Sequence, residues 1–223
     1  MNRRQLLIGV VILALVAVGI VAYLVFAPSG DADLQTSSVP KFQVTLSPYD
    51  RPQGDPRAPI TMVEYAAPTC PVCAHFDMTM YPELKKDYID TGKVYYVFRV
   101  YPLRPQDVAA DAIARCLPAD NYFQFIDLLY RNQPKWDPDG YNIPDVHAAL
   151  IDMARIGGMD ADRADKCMND QAMQKKIVAV GDYAEKNYGV QGTPTFIVNG
   201  ETAPYFETSD DVKKYLDSVL AKK

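Results

Sequence analysis

The sequence predicts an α/β protein whose sheet-forming chain is interrupted by an all-helical block. Three observations carry this. Two apolar, β-type runs, Ile60–Ala66 and Val94–Tyr101, flank a single helical stretch. Residues 105–188 then show only helical spacing broken by Pro and Gly. Finally, the strand signature returns at Thr195–Val198 and is followed by Asn199-Gly200, a hairpin turn pair.

The chain has 223 residues and is 48% hydrophobic, enough for one ample core or for one fold carrying an insertion. It opens Met1-Asn2-Arg3-Arg4-Gln5 and runs uncharged from Leu6 to Phe26. A bilayer span needs about 20 apolar residues, whereas a cleavable leader has an apolar core of about 7–15. Residues 1–27 are therefore expected to form a transmembrane signal anchor. Arg3 and Arg4 would hold its start inside and place the rest of the chain on the export side. Val25-Phe26-Ala27 resembles a cleavage site, but Pro28 follows it directly; cleavage there would release the domain. The paired arginines also loosely resemble a twin-arginine export signal, for which the apolar run is long. Residues 28–41, rich in Pro, Ser, Gly and Asp, read as a flexible tether.

The formal net charge is −5, and the segment before Asp31 contributes only Arg3 and Arg4, so the remainder carries −7. No basic patch is present, which argues against nucleic acid as a partner.

After the tether, Phe42–Leu46 alternates as an edge strand does, and Asp50–Pro59 reads as a loop. Ile60–Ala66 is a strand, and a helix is expected from Cys70 or Pro71 to about Asp90, closed by Thr91-Gly92. Val94–Tyr101 is β-branched and aromatic almost throughout, as a central strand is. Helices are expected over Gln106–Leu117, Asn121–Arg131, Pro144–Ile156, Asp160–Met168 and Asp170–Tyr188. Beyond the strand Thr195–Val198 come a second strand near Ala203–Glu207 and a helix over Ser209–Ala221. Thr208 and Asp211 stand in capping-box spacing for that helix. A βαβ half (residues 42–104), a helical insertion (105–188) and a ββα half (189–223) make a thioredoxin fold.

The chemistry concentrates at Cys70-Pro71-Val72-Cys73, directly after a strand and at the start of a helix. There, unsatisfied N–H groups and the helix dipole favour a thiolate, the form that attacks a disulfide. Pro71 suits the first helical position because its missing N–H would be unpaired anyway. A zinc site would need a second ligand pair at short spacing, and Cys116, Cys167, His75 and His147 are too scattered to supply it. Export favours disulfides. Four cysteines allow three pairings, and the local CxxC pair leaves Cys116 with Cys167.

Three motifs together make the chain resemble the DsbA-like branch of thiol–disulfide oxidoreductases. They are Asp50–Pro59 leading into Val63-Glu64-Tyr65, Cys70–Cys73 with Phe76, and Gly189–Gly200 with its Thr193-Pro194-Thr195-Phe196. The resemblance implies a nucleophile at Cys70, a resolving thiol at Cys73 and a cis bond between Thr193 and Pro194 beside them. It also implies that the Thr193 hydroxyl lies near Cys70 and that Glu64, a carboxylate in an apolar strand, passes protons to and from Cys73. No organic cofactor or metal is implied. The implied partners are exported proteins with free thiols or disulfides and a quinone-linked, DsbB-type membrane protein that reoxidises the pair. The domain is expected to face the periplasm as a monomer.

One departure concerns direction. Val72 stands where the strongest oxidants of the family carry a histidine and cannot hydrogen-bond a thiolate through its side chain. That keeps a reductase or isomerase role open, although Asp31–Lys41 is too short to hold a dimerisation region. A chaperone or binding module would dispense with the CxxC, and a soft-metal carrier would want a methionine just before Cys70. His75 and His147 read as surface or packing residues and Trp136 as a packing anchor. Met78, Met80, Met153, Met159, Met168 and Met173 read as core filler, and Tyr95, Tyr96 and Tyr101 as strand residues.

Overall fold

The computed structural model describes residues 44–47 and 49–222. The expected anchor over residues 1–27, the tether over 28–41 and the start of the strand Phe42–Leu46 lie outside the described residues. Among those described, no helix is long and apolar enough to cross a membrane.

The strands are β1 (Arg51–Gln53), β2 (Ile60–Ala66), β3 (Val94–Val100), β4 (Thr195–Val198) and β5 (Glu201–Thr202), in the sheet order β1-β3-β2-β4-β5. β2 and β3 run parallel and every other pair is antiparallel. The central strands β2 and β3 are buried on both faces, as their continuous apolar sequences require. Alternate residues feed two cores. Met62, Tyr96, Phe98 and Phe196 lie in the larger one, with α1 (Pro71–Thr79) and α9 (Ser209–Leu220). Val63, Tyr65, Val97 and Ile197 lie in the smaller one with Ala184 of α8 (Gln171–Tyr188).

The first strand is displaced from its expected place. Val44–Leu46 forms no strand, and β1 arises inside the stretch read as a loop. Arg99 explains why the chain is held there. Its guanidinium, on buried β3, donates to both Asp50 carboxylate oxygens (2.9 and 2.7 Å), to the Thr45 carbonyl (2.7 Å) and to the Tyr65 hydroxyl (2.9 Å). Those bonds bring Arg51–Gln53 alongside β3.

The helix expected to run unbroken to Asp90 is three pieces: α1, α2 (Tyr81–Leu84) and a π-helical turn at Lys85–Ile89. Pro82 has no N–H to give to Met78, so the first helix stops at Thr79 and restarts at Tyr81. The second strand of the hairpin is also earlier and shorter than expected, Glu201–Thr202 rather than near Ala203–Glu207. Asn199 (φ 51°) and Gly200 (φ 88°) both take positive φ, as a tight two-residue turn demands.

The inserted block contains α3 (Pro105–Cys116), α4 (Tyr122–Arg131), the one-turn α5 (Gln133–Trp136), α6 (Val146–Ile156), α7 (Ala161–Met168) and α8. Short α5 lies in the gap between the helices expected over Asn121–Arg131 and Pro144–Ile156. Its Trp136 is fully buried and donates to the Leu129 carbonyl (2.9 Å). Asp145, Asp160 and Asp170 each cap the helix that follows, their carboxylates accepting free N–H groups of the first turn. Cys116 at the end of α3 is bonded to Cys167 of α7, with Cα atoms 6.3 Å apart. Met78, expected as filler, is exposed on α1.

Candidate active site

Cys70 is the N-cap of α1. Its sulfur accepts the Cys73 N–H (3.2 Å), and its thiol faces the Thr193 carbonyl (3.5 Å). The Thr193–Pro194 bond is cis. Cys70, Cys73, Thr193 and Pro194 thus converge, with Pro71 and the exposed Val72 forming the rim of the turn. Cys70 is 4% exposed and Cys73 0%, so only the first sulfur has any opening to solvent.

The two thiols, both free, are chemically opposite. A hydrogen bond from the Cys73 thiol brings Cys70 down to about 6 against the opposing effect of burial. The Thr193 side chain and the N–H groups of Cys73 and Val72 help to lower it. Val72 therefore contributes through its backbone, not its side chain. The Thr193 hydroxyl oxygen is buried and holds no hydrogen bond among the described residues, so it is free to donate once Cys70 becomes a thiolate. Burial pushes Cys73 well up, and the charges of Cys70 and Glu64 push it further.

Glu64 on β2 is 2% exposed, and burial raises it to about 8. The Tyr96 hydroxyl donates to Glu64 Oε2, which opposes that rise. Charge from Asp77 and Cys70 adds to it. Tyr96, first read as a plain strand residue, is thus the direct partner of the buried acid. The register explains it: Glu64 lies opposite Phe98 and Met62 opposite Tyr96, so Glu64 and Tyr96 project from the same face of the sheet.

Two further residues hold the redox turn. Asp107 of α3 is fully buried and accepts from the Thr69 N–H (2.8 Å), the Thr69 hydroxyl (3.1 Å), the Leu103 N–H (3.0 Å) and the Arg104 N–H (2.9 Å). It ties the residue before Cys70 to the loop leaving β3. Gln133 of α5 donates to the Pro68 carbonyl (2.8 Å) and the Cys70 carbonyl (3.2 Å). The spacing of Asp107 behind Pro105 signals a helix start, but nothing in the sequence marks its reach to Thr69, and nothing marks Gln133. The histidines stay outside the site. His75 is exposed, and His147 pairs with Asp165 (3.0 Å) on the surface.

A family model described as Thioredoxin matches residues 46–218. A Rickettsia bellii protein provisionally named protein-disulfide oxidoreductase is 35% identical over 169 residues; the match covers 74% of this chain but only 64% of the relative's length. A Bacillus cereus protein provisionally named disulfide bond formation protein D is 29% identical over 229 residues, 99% of each chain. The crystal structure of Wolbachia pipientis alpha-DsbA1 superposes with a TM-score of 0.73 at 28% identity, over 80% of this chain and 94% of that one.

Proposed function

This chain belongs to the thioredoxin superfamily, in its DsbA-like branch of thiol–disulfide oxidoreductases, and on that premise we propose that it introduces disulfides into exported proteins through Cys70 and Cys73. A client thiolate attacks Cys70 Sγ, the Cys70–Cys73 bond breaks, and Cys73 leaves with the electron pair and takes up a proton. A second client thiolate then attacks the client sulfur of the mixed disulfide and expels Cys70 as a thiolate. The client is oxidised by two electrons and the Cys70–Cys73 pair is reduced by two.

The observation that carries the oxidising direction is the contrast between the two sulfurs. Cys70 is held as a thiolate near neutrality while Cys73 keeps its proton. A stabilised thiolate favours the reduced enzyme and hence an oxidising couple. Glu64, buried and raised to about 8, is a suitable proton carrier for Cys73. The Arg3-Arg4 start and the apolar run Leu6–Phe26 support tethering to the inner membrane with the domain in the periplasm. A quinone-linked membrane protein of the DsbB type would restore the disulfide, and the domain works as a monomer.

Equilibration with glutathione buffers tests the direction. A potential on the oxidising side of about −200 mV, toward the roughly −120 mV of a strong oxidant, is expected. A value near the roughly −270 mV of thioredoxin would make the protein a reductase instead. Cys70→Ala should abolish oxidative refolding of a reduced client; retained activity would indicate a binding module.

A further inference from the structure

The redox turn is bonded to the inserted helices through both its donors and its acceptors. Asp107 of α3 takes the Thr69 N–H and hydroxyl. Gln133 of α5 serves the opposite groups, the carbonyls. Its side-chain amide donates to the Pro68 oxygen at 2.8 Å and to the Cys70 oxygen at 3.2 Å. Gln133 is 7% exposed, so these bonds form away from bulk water. The Pro68 carbonyl has no other partner among the described residues. The Cys70 carbonyl also accepts the Ala74 N–H (3.0 Å), the first bond of α1.

Short α5 holds that amide still. Pro134 stiffens the backbone directly after Gln133. The Asp137 N–H closes the turn on the Gln133 carbonyl (2.9 Å), and the buried Trp136 anchors it from inside. Just past α5, Asp139 pairs with Arg104 at the start of α3. The two elements that grip the redox turn are therefore also joined to each other.

The grip bears on the sulfur. A carbonyl oxygen carries partial negative charge, and the Cys70 oxygen belongs to the residue whose sulfur leaves the exchange as a thiolate. In a buried site that charge is poorly screened, and amide hydrogens on the oxygen offset it. The same bonds fix the peptide planes before Thr69 and after Cys70. They thereby set how Cys70 Sγ meets the Cys73 N–H (3.2 Å) and the Thr193 carbonyl (3.5 Å). None of the Gln133 bonds is made or broken in the exchange. Their effect therefore falls on the redox state that carries the thiolate charge.

We propose that Gln133 is a positioning residue for the nucleophile: from α5 it seats the Cys70 backbone so that the sulfur rests on the Cys73 N–H, and so biases the Cys70–Cys73 pair toward its reduced form. This rests on the thiol–disulfide exchange set out above. It gives the inserted block a part in reactivity as well as in packing.

The test compares full-length wild type, Gln133→Met and Gln133→Glu by two readings. These are thiolate absorbance against pH and the equilibrium constant with glutathione at pH 8, where Cys70, brought down to about 6, is a thiolate. Gln133→Met keeps the length of the side chain and loses both bonds. Its Cys70 acid dissociation constant should fall about tenfold, as for one lost hydrogen bond. Its glutathione equilibrium should move about tenfold toward the oxidised enzyme, or about 30 mV for a two-electron couple. Gln133→Glu has the wild-type shape but faces two acceptors with a third, and should shift both readings at least as far. Asp160→Ala removes the carboxylate that accepts the Arg163 N–H (2.9 Å) at the start of α7, inside the insertion and off the turn. It should leave both readings at wild type. Wild-type readings in both Gln133 variants would overturn the proposal. An equal shift in Asp160→Ala would also overturn it, because a loosened insertion would then be the cause. If Gln133→Met does not fold, Gln133→Glu decides alone. A wild-type chain that does not exchange with glutathione would instead overturn the exchange chemistry, while thiolate absorbance would still read the effect of Gln133.

Discussion

Cys70 and Cys73 are separated by two residues and a full reversal of acidity. The helix start that exposes N–H groups to one sulfur encloses the other in the core. The consequence for stability follows from linkage. Cys70 falls from an ordinary value of 9.0 to about 6, so its contribution to the reduced fold is complete above about 9 and lost as pH falls through about 6. Reduced protein should gain on oxidised protein between those limits by up to about 4 kcal/mol, read from denaturant midpoints. Thiolate absorbance should titrate near the same lower limit, and a Cys70 that titrates like a free thiol would refute the account. Glu64 has the opposite sign. It is raised from 4.5 to about 8, so its neutral form costs the wild type nothing below about 4.5 and progressively more as pH rises toward 8. Glu64→Gln should therefore be more stable than wild type by about 3 kcal/mol near neutrality and by little near pH 4.5. It should also slow proton delivery to Cys73 and flatten the pH dependence of the rate. Equal stability at both ends of that range would mean that Glu64 is not a buried acid. Both cysteines and Glu64 were legible as letters: a motif, and a charge in an apolar run. Tyr96 was not, because a tyrosine among aromatics reads as packing until the register shows that its hydroxyl meets Glu64.

Elements were legible in type and less so in extent. The α8 start was readable because Asp170 caps it, and the α9 start because Thr208 and Asp211 form a reciprocal box. The α1 end was misjudged because its apolar spacing continues past Pro82, although the missing N–H breaks the hydrogen-bond ladder there. β1 was hidden because its place depends on Arg99 gripping Asp50 across the sheet edge, a contact between residues far apart in sequence. Asp107 makes the cost of such long-range ties measurable. Asp107→Ala would leave the Thr69, Leu103 and Arg104 donors unpaired and the redox turn loose. We expect a loss of about 3–5 kcal/mol by urea denaturation together with a raised Cys70 titration point. A variant of wild-type stability would show that water replaces the carboxylate there.

The molecule joins two kinds of structure, a sheet interrupted after β3 and a helical insertion that returns at β4. The division into residues 42–104, 105–188 and 189–223 is our reading of that interruption, and Asp107 and Gln133 stitch the insertion to the redox turn. The insertion has its own fastening, the Cys116–Cys167 bond across 51 residues of chain. Replacing both cysteines by alanine should cost about 2–4 kcal/mol, since closing a loop of that length removes much unfolded-state entropy. Mass mapping of unreduced protein should find the two peptides joined, and mild reductant should open the Cys70–Cys73 disulfide first. Loss of the joined peptide under conditions that leave Cys70–Cys73 intact would reverse that order.

The sheet ends in β1, three residues long with Pro52 at its centre, and β5, two residues long with the charged Glu201. A long bare edge invites foreign strands to add to it, whereas short, proline-bearing or charged edges refuse them. A disulfide donor of the kind proposed above would meet sticky, extended segments at every turnover. Edges as short as these would offer such segments no strand to join while the redox turn engages them.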